Sequence, residues 1–222
     1  MPGSYQSGVG ARNCTACPKG TSQALSGASR CEDCTAGRYQ TETQRTSCTL
    51  CELGKFSTTL RNDKECTPCP AGSHQAARSA SQCTPCGPGQ HTEATGQALC
   101  APCDAGSFSN TTGLVKCIAC PIGFEQPTNG QTNCTRCPLG TASSQTGTAE
   151  CPSCAAGRFA NRTGMLSCSS CVEGSWQINT GQPQCDLCGV GTFSQVVGAH
   201  PPLPRRHSRI LLFAAQDQPE RA

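Results

Sequence analysis

Aromatic side chains occur mainly at one position of a repeated unit, two residues after a recurring glycine. A second glycine commonly follows in the same unit, so two turns flank a short stretch that carries the aromatic residue. This pattern predicts a small β-hairpin in each unit and almost no helix outside the last 23 residues. The position is filled by Tyr39, Phe56, Phe108, Phe159, Trp176 and Phe193, and by His74 and His91 in two further units.

Cysteines give the unit its length. All 22 lie in eleven C-x-x-C pairs that recur every 17 residues, except for one interval of 18 between Cys48 and Cys66. Such a regular period indicates tandem repeats of one small unit. The third residue after each pair is always glycine, which predicts a turn with positive φ. These glycines are Gly20, Gly37, Gly54, Gly72, Gly89, Gly106, Gly123, Gly140, Gly157, Gly174 and Gly191.

The composition is that of a disulfide scaffold. Only 4% of residues are aromatic, and a 17-residue unit cannot bury enough apolar surface to offset its ordering entropy of roughly 1.5 kcal/mol per residue. Such units need covalent links, and disulfides require an oxidising compartment. The sequence therefore predicts a small disulfide-rich fold, an elongated array of short hairpin and turn units, in an extracellular or cell-surface location.

Two disulfide schemes fit the spacing, and sequence alone does not choose between them. In the interlocked scheme, neighbouring pairs bond first to first and second to second. In the chained scheme, the second cysteine of one pair bonds the first of the next, which leaves only Cys14 and Cys188 unpaired. The chain ends favour the chained scheme, because interlocking eleven pairs leaves a whole pair over. Its bonds are Cys17 to Cys31, Cys34 to Cys48, Cys51 to Cys66, Cys69 to Cys83, Cys86 to Cys100, Cys103 to Cys117, Cys120 to Cys134, Cys137 to Cys151, Cys154 to Cys168 and Cys171 to Cys185.

Charge and hydropathy exclude several partners. The net charge is +3, and part of it lies in the last residues, so the repeats offer no basic surface for nucleic acid. The longest apolar run, residues 210–215, is far too short to span a membrane. No catalytic constellation stands out, and we expect a protein that is not an enzyme and that needs no cofactor.

The repeat pattern is expected to cover residues 1–199, with both end units truncated. Residues 200–222 lack cysteine and glycine, and Pro202 stands where the next cysteine is due. They are expected to be a non-repeat tail, either disordered or an artefact of the gene prediction. No signal peptide precedes the repeats, so the chain is expected to be a fragment of a longer protein that is membrane-anchored.

The repeat motif resembles a known family. The pattern C-P-x-G-[T/S]-[Y/F]-x8-C-x-x-C is similar to the ephrin-receptor-like cysteine-rich repeat of the growth-factor-receptor cysteine-rich superfamily. The segment CELGKFSTTLRNDKEC, Cys51 to Cys66, also resembles the single-disulfide modules of tumour-necrosis-factor receptors, which are chained. The resemblance implies disulfide-linked extracellular rods in receptors and adhesion proteins, and it does not imply ephrin binding or a kinase.

Three functions remain open at this stage. The first is a structural and binding rod that contacts a protein ligand or a matrix or cell-surface partner. The second is the ligand-binding ectodomain of a receptor. The third is an intracellular protein in which two C-x-x-C pairs hold one Zn²⁺; disulfides are the stronger hypothesis, because eleven pairs leave one over after five four-cysteine sites. His74 and His91 are expected to replace the aromatic residue rather than to bind metal.

Two asparagines are candidate glycosylation sites. Asn110 and Asn161 begin Asn-x-Thr sequences, and each lies seven residues after its cysteine, in the middle of a loop. Asn13 and Asn133 begin similar sequences, but with cysteine as the middle residue, which makes a poor acceptor.

Overall fold

The chain is built from antiparallel hairpins whose strands are two residues long. A computed structural model describes residues 1–8, 10, 13–193 and 203–204, and within these ranges there is no helix. The predicted fold class, a small disulfide-rich array of short hairpins with regularly spaced disulfides, is confirmed. The chain divides into two compact units, Met1–Cys137 with Ser143–Cys151, and Pro138–Ala142 with Pro152–Ala222.

The hairpin formed by strands Thr21–Ser22 and Glu32–Asp33 shows how one repeat folds. A tight turn precedes the first strand, in which the Thr21 amide donates to the Pro18 carbonyl oxygen at 3.2 Å. The second strand consists of the two residues between the cysteines of a C-x-x-C pair. The spacing of that motif therefore sets the length of the strand, and the cysteines on either side fix it to the neighbouring loops.

The first unit contains sixteen strands in eight hairpins. Each hairpin pairs two strands that are consecutive in the chain. The strands are β1 (Ser4–Tyr5), β2 (Thr15–Ala16), β3 (Thr21–Ser22), β4 (Glu32–Asp33), β5 (Arg38–Tyr39), β6 (Thr49–Leu50), β7 (Lys55–Phe56), β8 (Thr67–Pro68), β9 (Ser73–His74), β10 (Thr84–Pro85), β11 (Gln90–His91), β12 (Ala101–Pro102), β13 (Ser107–Phe108), β14 (Ile118–Ala119), β15 (Phe124–Glu125) and β16 (Thr135–Arg136).

Among its described residues, the second unit has one isolated bridge, Thr141 with Ser153, and three hairpins. Its strands are β17 (Arg158–Phe159), β18 (Ser169–Ser170), β19 (Ser175–Trp176), β20 (Asp186–Leu187), β21 (Thr192–Phe193) and β22 (Leu203–Pro204).

Strand pairing continues past residue 199, where the repeats were expected to end. Thr192 lies opposite Pro204, the same separation as between Ser175 and Leu187 one repeat earlier. Pairing through the backbone needs no cysteine, and a proline also ends strands β8, β10 and β12. The rest of the expected tail lies outside the described residues.

Disulfides form the core. Ten bonds join the second cysteine of one pair to the first of the next, and Cys14 and Cys188 are free. In every disulfide, the cysteine that comes first in the chain is at most 1% exposed. Large aliphatic side chains such as Leu25 and Val172 are instead mostly exposed. Sulfur atoms thus take the place that aliphatic residues hold in an ordinary domain.

Backbone hydrogen bonds join each loop of the first unit to the next one. The Gly20 amide donates to the Gln40 carbonyl oxygen at 2.8 Å, and the Gln23 amide donates to Arg45 at 3.0 Å. In return, the Gln44 amide donates to the Cys17 carbonyl oxygen at 2.8 Å. Equivalent bonds recur 17 or 18 residues later along the unit. A repeat therefore satisfies its backbone groups by pairing with its neighbours.

Candidate functional site

The repeat glycines share one backbone conformation, which together with the disulfides gives the repeats a common frame. All eleven glycines that follow a C-x-x-C pair have φ between +74° and +82°, which confirms the predicted turn. Side chains other than glycine are strongly disfavoured in this region. The same turn therefore precedes the predicted aromatic position in every repeat.

Three polar residues at that position contact the disulfide of the next repeat. The Nδ1 atom of His74 lies 3.2 Å from the Cys100 Sγ, and the Nδ1 atom of His91 lies 3.2 Å from the Cys117 Sγ. Ser22 makes the corresponding contact, with its Oγ 3.4 Å from the Cys48 Sγ. In these three repeats, the side chain at this position therefore lies beside the disulfide of the next repeat.

Glu125 uses the position differently. Its Oε2 accepts a hydrogen bond from the Cys151 amide at 2.6 Å. The aromatic residue of this repeat is Phe124, one position earlier, and it lies opposite Arg136 in the hairpin with the guanidinium carbon 5.8 Å from the ring centroid. This repeat thus replaces the contact between a side chain and a sulfur atom by one between a carboxylate and the backbone.

A glutamine closes the loop in five repeats, and it is buried in all of them except that of the half-buried Gln75. In the loop of Gln40, the side-chain Nε2 donates to the Ser47 carbonyl oxygen at 3.0 Å, and the Oε1 accepts from the Glu42 amide at 3.1 Å. This loop closure was not predicted from the sequence, although its signal is present there as a glutamine six residues after the second cysteine of a C-x-x-C pair. The five are Gln23, Gln40, Gln75, Gln126 and Gln177.

The strands between paired cysteines form the outer surface. Apart from the half-buried Leu50, their residues are exposed. These residues differ from one repeat to the next: Glu32 and Asp33 in one, Ile118 and Ala119 in another, Thr135 and Arg136 in a third. The frame is therefore constant while the outward side chains vary in charge and hydrophobicity.

The other predicted site residues are placed as follows. Asn110 and Asn161 are both exposed in loops, and nothing in the structure tests whether they carry glycans. The cysteines that zinc binding would need are bonded to each other in disulfides, so a metal site at any C-x-x-C pair would first require their reduction.

These features define a class of protein, a tandem cysteine-rich repeat protein with one disulfide per repeat. The chain belongs to the tyrosine-protein kinase ephrin type A/B receptor-like family, whose profile matches residues 54–100, 93–125, 106–154 and 157–201, about two thirds of the chain. The repeats of this family are a non-catalytic, extracellular type of protein-interaction module. A search of curated proteins gave no match. In the part of the chain that the structure describes, no helix has the length and apolar character that crossing a bilayer requires.

Proposed function

We propose that this protein is a non-enzymatic, extracellular repeat protein that binds another protein through the exposed strands of its C-x-x-C pairs. The observation that carries this proposal is the contrast between the constant disulfide frame and the varied outward residues of these strands. A frame that is fixed by covalent bonds loses little conformational entropy when a partner binds, which favours affinity. Ligand binding as part of a receptor ectodomain is the variant of this function that the family suggests.

A second role follows from the contacts between repeats. Because loops of the first unit bond mainly to neighbouring loops, adding a repeat adds length rather than core. We propose that the array also acts as an extended spacer. Small-angle scattering of the oxidised chain tests this role, and a radius of gyration near the compact-domain value of about 17 Å would contradict it.

Secretion of the chain separates the extracellular function from the intracellular zinc alternative. We expect the chain, fused to an export signal and produced in eukaryotic cells, to reach the medium with ten disulfides and no bound zinc. Alkylation without reduction should label only Cys14 and Cys188, and mass spectrometry of the peptides identifies them. A soluble product from the cytosol with reduced cysteines and stoichiometric zinc would instead support the zinc-binding class.

Binding to cells tests the proposed surface. The secreted chain should bind to the surface of some cell lines, and binding should be lost after the cells are treated with protease. The variant Ile118→Glu places a charge on an exposed strand residue, whereas Thr111→Glu changes an exposed loop residue of the same repeat. We expect strand substitutions in at least one repeat to reduce binding at least tenfold and the matched loop substitutions to leave it unchanged. Equal effects at both kinds of position would exclude the strands as the binding surface.

A further inference from the structure

Two neighbouring repeats differ from all others in carrying a histidine against the next disulfide. The contact from His74 to Cys100 and the contact from His91 to Cys117 have the same length, 3.2 Å, and both use Nδ1. The ring nitrogen of His74 and the sulfur atoms of Cys86 and Cys100 all lie within 4.8 Å of one another, as do the corresponding atoms of His91, Cys103 and Cys117. Each histidine is therefore placed beside a pair of potential sulfur ligands.

We propose that each of these two disulfides is a redox-gated zinc site. In the oxidised state, the sulfur atoms are bonded to each other and the histidine only contacts one of them. After reduction, one imidazole and two thiolates form a ligand set that suits Zn²⁺, with Zn–S distances of about 2.3 Å and Zn–N distances of about 2.0–2.1 Å. A fourth position stays open for water or another ligand.

A monothiol such as glutathione can reduce each of these disulfides. Two monothiol molecules supply two electrons and two protons to the disulfide and are themselves joined in a new disulfide. The S–S bond breaks and two cysteine thiols form. Zinc binding then releases two protons, because the thiols bind the metal as thiolates.

Burial keeps the reduced cysteines as neutral thiols until a cation binds beside them. Cys86 and Cys103 are 0% exposed, and an unpaired thiolate is unfavourable in such surroundings. Zn²⁺ neutralises that charge. In each site the histidine and the other cysteine, Cys100 or Cys117, are half-buried, which leaves a path for the ion to enter. The two ligand cysteines come from successive C-x-x-C pairs, so the site differs from one built on a single pair.

The repeats on either side provide matched controls. The position that His74 occupies is filled by Phe56 and Phe108 in nearby repeats. By the same spacing, the disulfide between Cys120 and Cys134 lies next to Phe108 and has no imidazole. Because phenylalanine is the native residue there, His74→Phe is expected to preserve the fold.

Redox equilibration of the full chain tests the proposal. The chain is incubated in glutathione buffers of graded potential with and without Zn²⁺, quenched with an alkylating reagent and mapped by mass spectrometry. Zinc that binds only the reduced form multiplies the reduction equilibrium constant by about 1 + [Zn²⁺]/Kd, which is about tenfold for each tenfold increase in zinc above Kd. We expect this shift at the disulfides of Cys86 and Cys103 and none at the disulfide of Cys120.

The variant His74→Phe should abolish the zinc effect at the disulfide between Cys86 and Cys100. The effect at the disulfide between Cys103 and Cys117 should persist, since His91 is unchanged. The proposal is overturned if zinc shifts the equilibrium at Cys120 equally, if the shift at Cys86 persists in His74→Phe, or if millimolar zinc shifts none of them. These results leave the proposed binding function untouched, because that function is measured on the oxidised chain.

Discussion

Gly106 lies directly against the carbonyl oxygen of Gly147, two repeats further along the chain. A β-carbon at Gly106 would lie 2.2 Å from that oxygen, well inside any allowed contact. The glycine is therefore required for two reasons, its φ of +82° and the close approach of another backbone. Gly89 makes the same contact with the carbonyl oxygen of Gly130, at 2.1 Å.

Substitution of two glycines by alanine should separate the effect of positive φ on stability from the effect of the close backbone contact. Gly27 has a φ of +73° but nothing within 4 Å of a β-carbon. Gly27→Ala should therefore lower the free energy of unfolding only by the backbone strain of alanine at positive φ, about 1 kcal/mol. Gly106→Ala should lower the free energy of unfolding by about 1–3 kcal/mol more, since the repeat that contains Gly147 must move. Denaturant unfolding of the oxidised chains measures the difference, and equal losses of stability would show that the contact is unimportant.

The buried glutamine should contribute to stability through its two side-chain hydrogen bonds. Gln40 is 6% exposed, and Gln40→Ala leaves the Ser47 carbonyl oxygen and the Glu42 amide without their side-chain partner. We expect a loss of about 2 kcal/mol in the free energy of unfolding. The exposed Gln97 is the control, because Gln97→Ala should change stability by less than about 0.5 kcal/mol. Equal effects would indicate that the buried hydrogen bonds contribute little.

Three repeats lack the second glycine and hold another residue at positive φ. Ser79 has a φ of 62°, and Gln44 and Arg61 are similar. Ser79→Gly should therefore stabilise the chain by about 0.5–1 kcal/mol, because the steric cost of this conformation exceeds the entropy cost of glycine. Ala77→Gly in the same loop, where φ is not positive, should destabilise it by a similar amount. A rise in the thermal midpoint for the first variant alone would agree with this prediction.

The predictable and unpredictable parts of the fold have different physical origins. Turn glycines, hairpins and the spacing of the disulfides follow from one 17-residue unit, because its covalent and turn constraints are local. The glutamine loop closure was overlooked because it uses a polar residue that varies between repeats. The contact between Gly106 and Gly147 was not predictable either, since it depends on how repeats stack two units apart.

The histidine contacts show the same limit within one site. Sequence placed His74 and His91 at the aromatic position, but only the structure shows that the Nδ1 atoms approach the sulfur atoms of Cys100 and Cys117. Repeat spacing determines the backbone position of a side chain, whereas the packing of the next loop determines which atoms the side chain contacts.

Glycosylation should occur at Asn110 and Asn161 when the chain passes through a eukaryotic secretory pathway. Both side chains are exposed in loops, where an attached glycan would not disturb the disulfide core. Asn110→Gln and Asn161→Gln should each remove one glycan, seen as a mass decrease that enzymatic deglycosylation reproduces in the parent chain. The controls Asn13→Gln and Asn133→Gln should leave the mass of the attached glycans unchanged. Loss of a glycan in a control variant, or no glycan on the parent chain, would contradict this prediction.

Two truncations should show which part of the C-terminal segment supports the last repeat. Removal of residues 205–222 keeps strand β22, which pairs with Thr192–Phe193, while removal of residues 200–222 deletes it. Both chains should form all ten disulfides, because the last one, between Cys171 and Cys185, closes before this segment begins. Only the shorter chain should show faster hydrogen exchange in the peptide that contains Thr192–Phe193, since its strand has lost its partner. Incomplete oxidation of Cys171 and Cys185 in either chain would show instead that the segment is needed for folding.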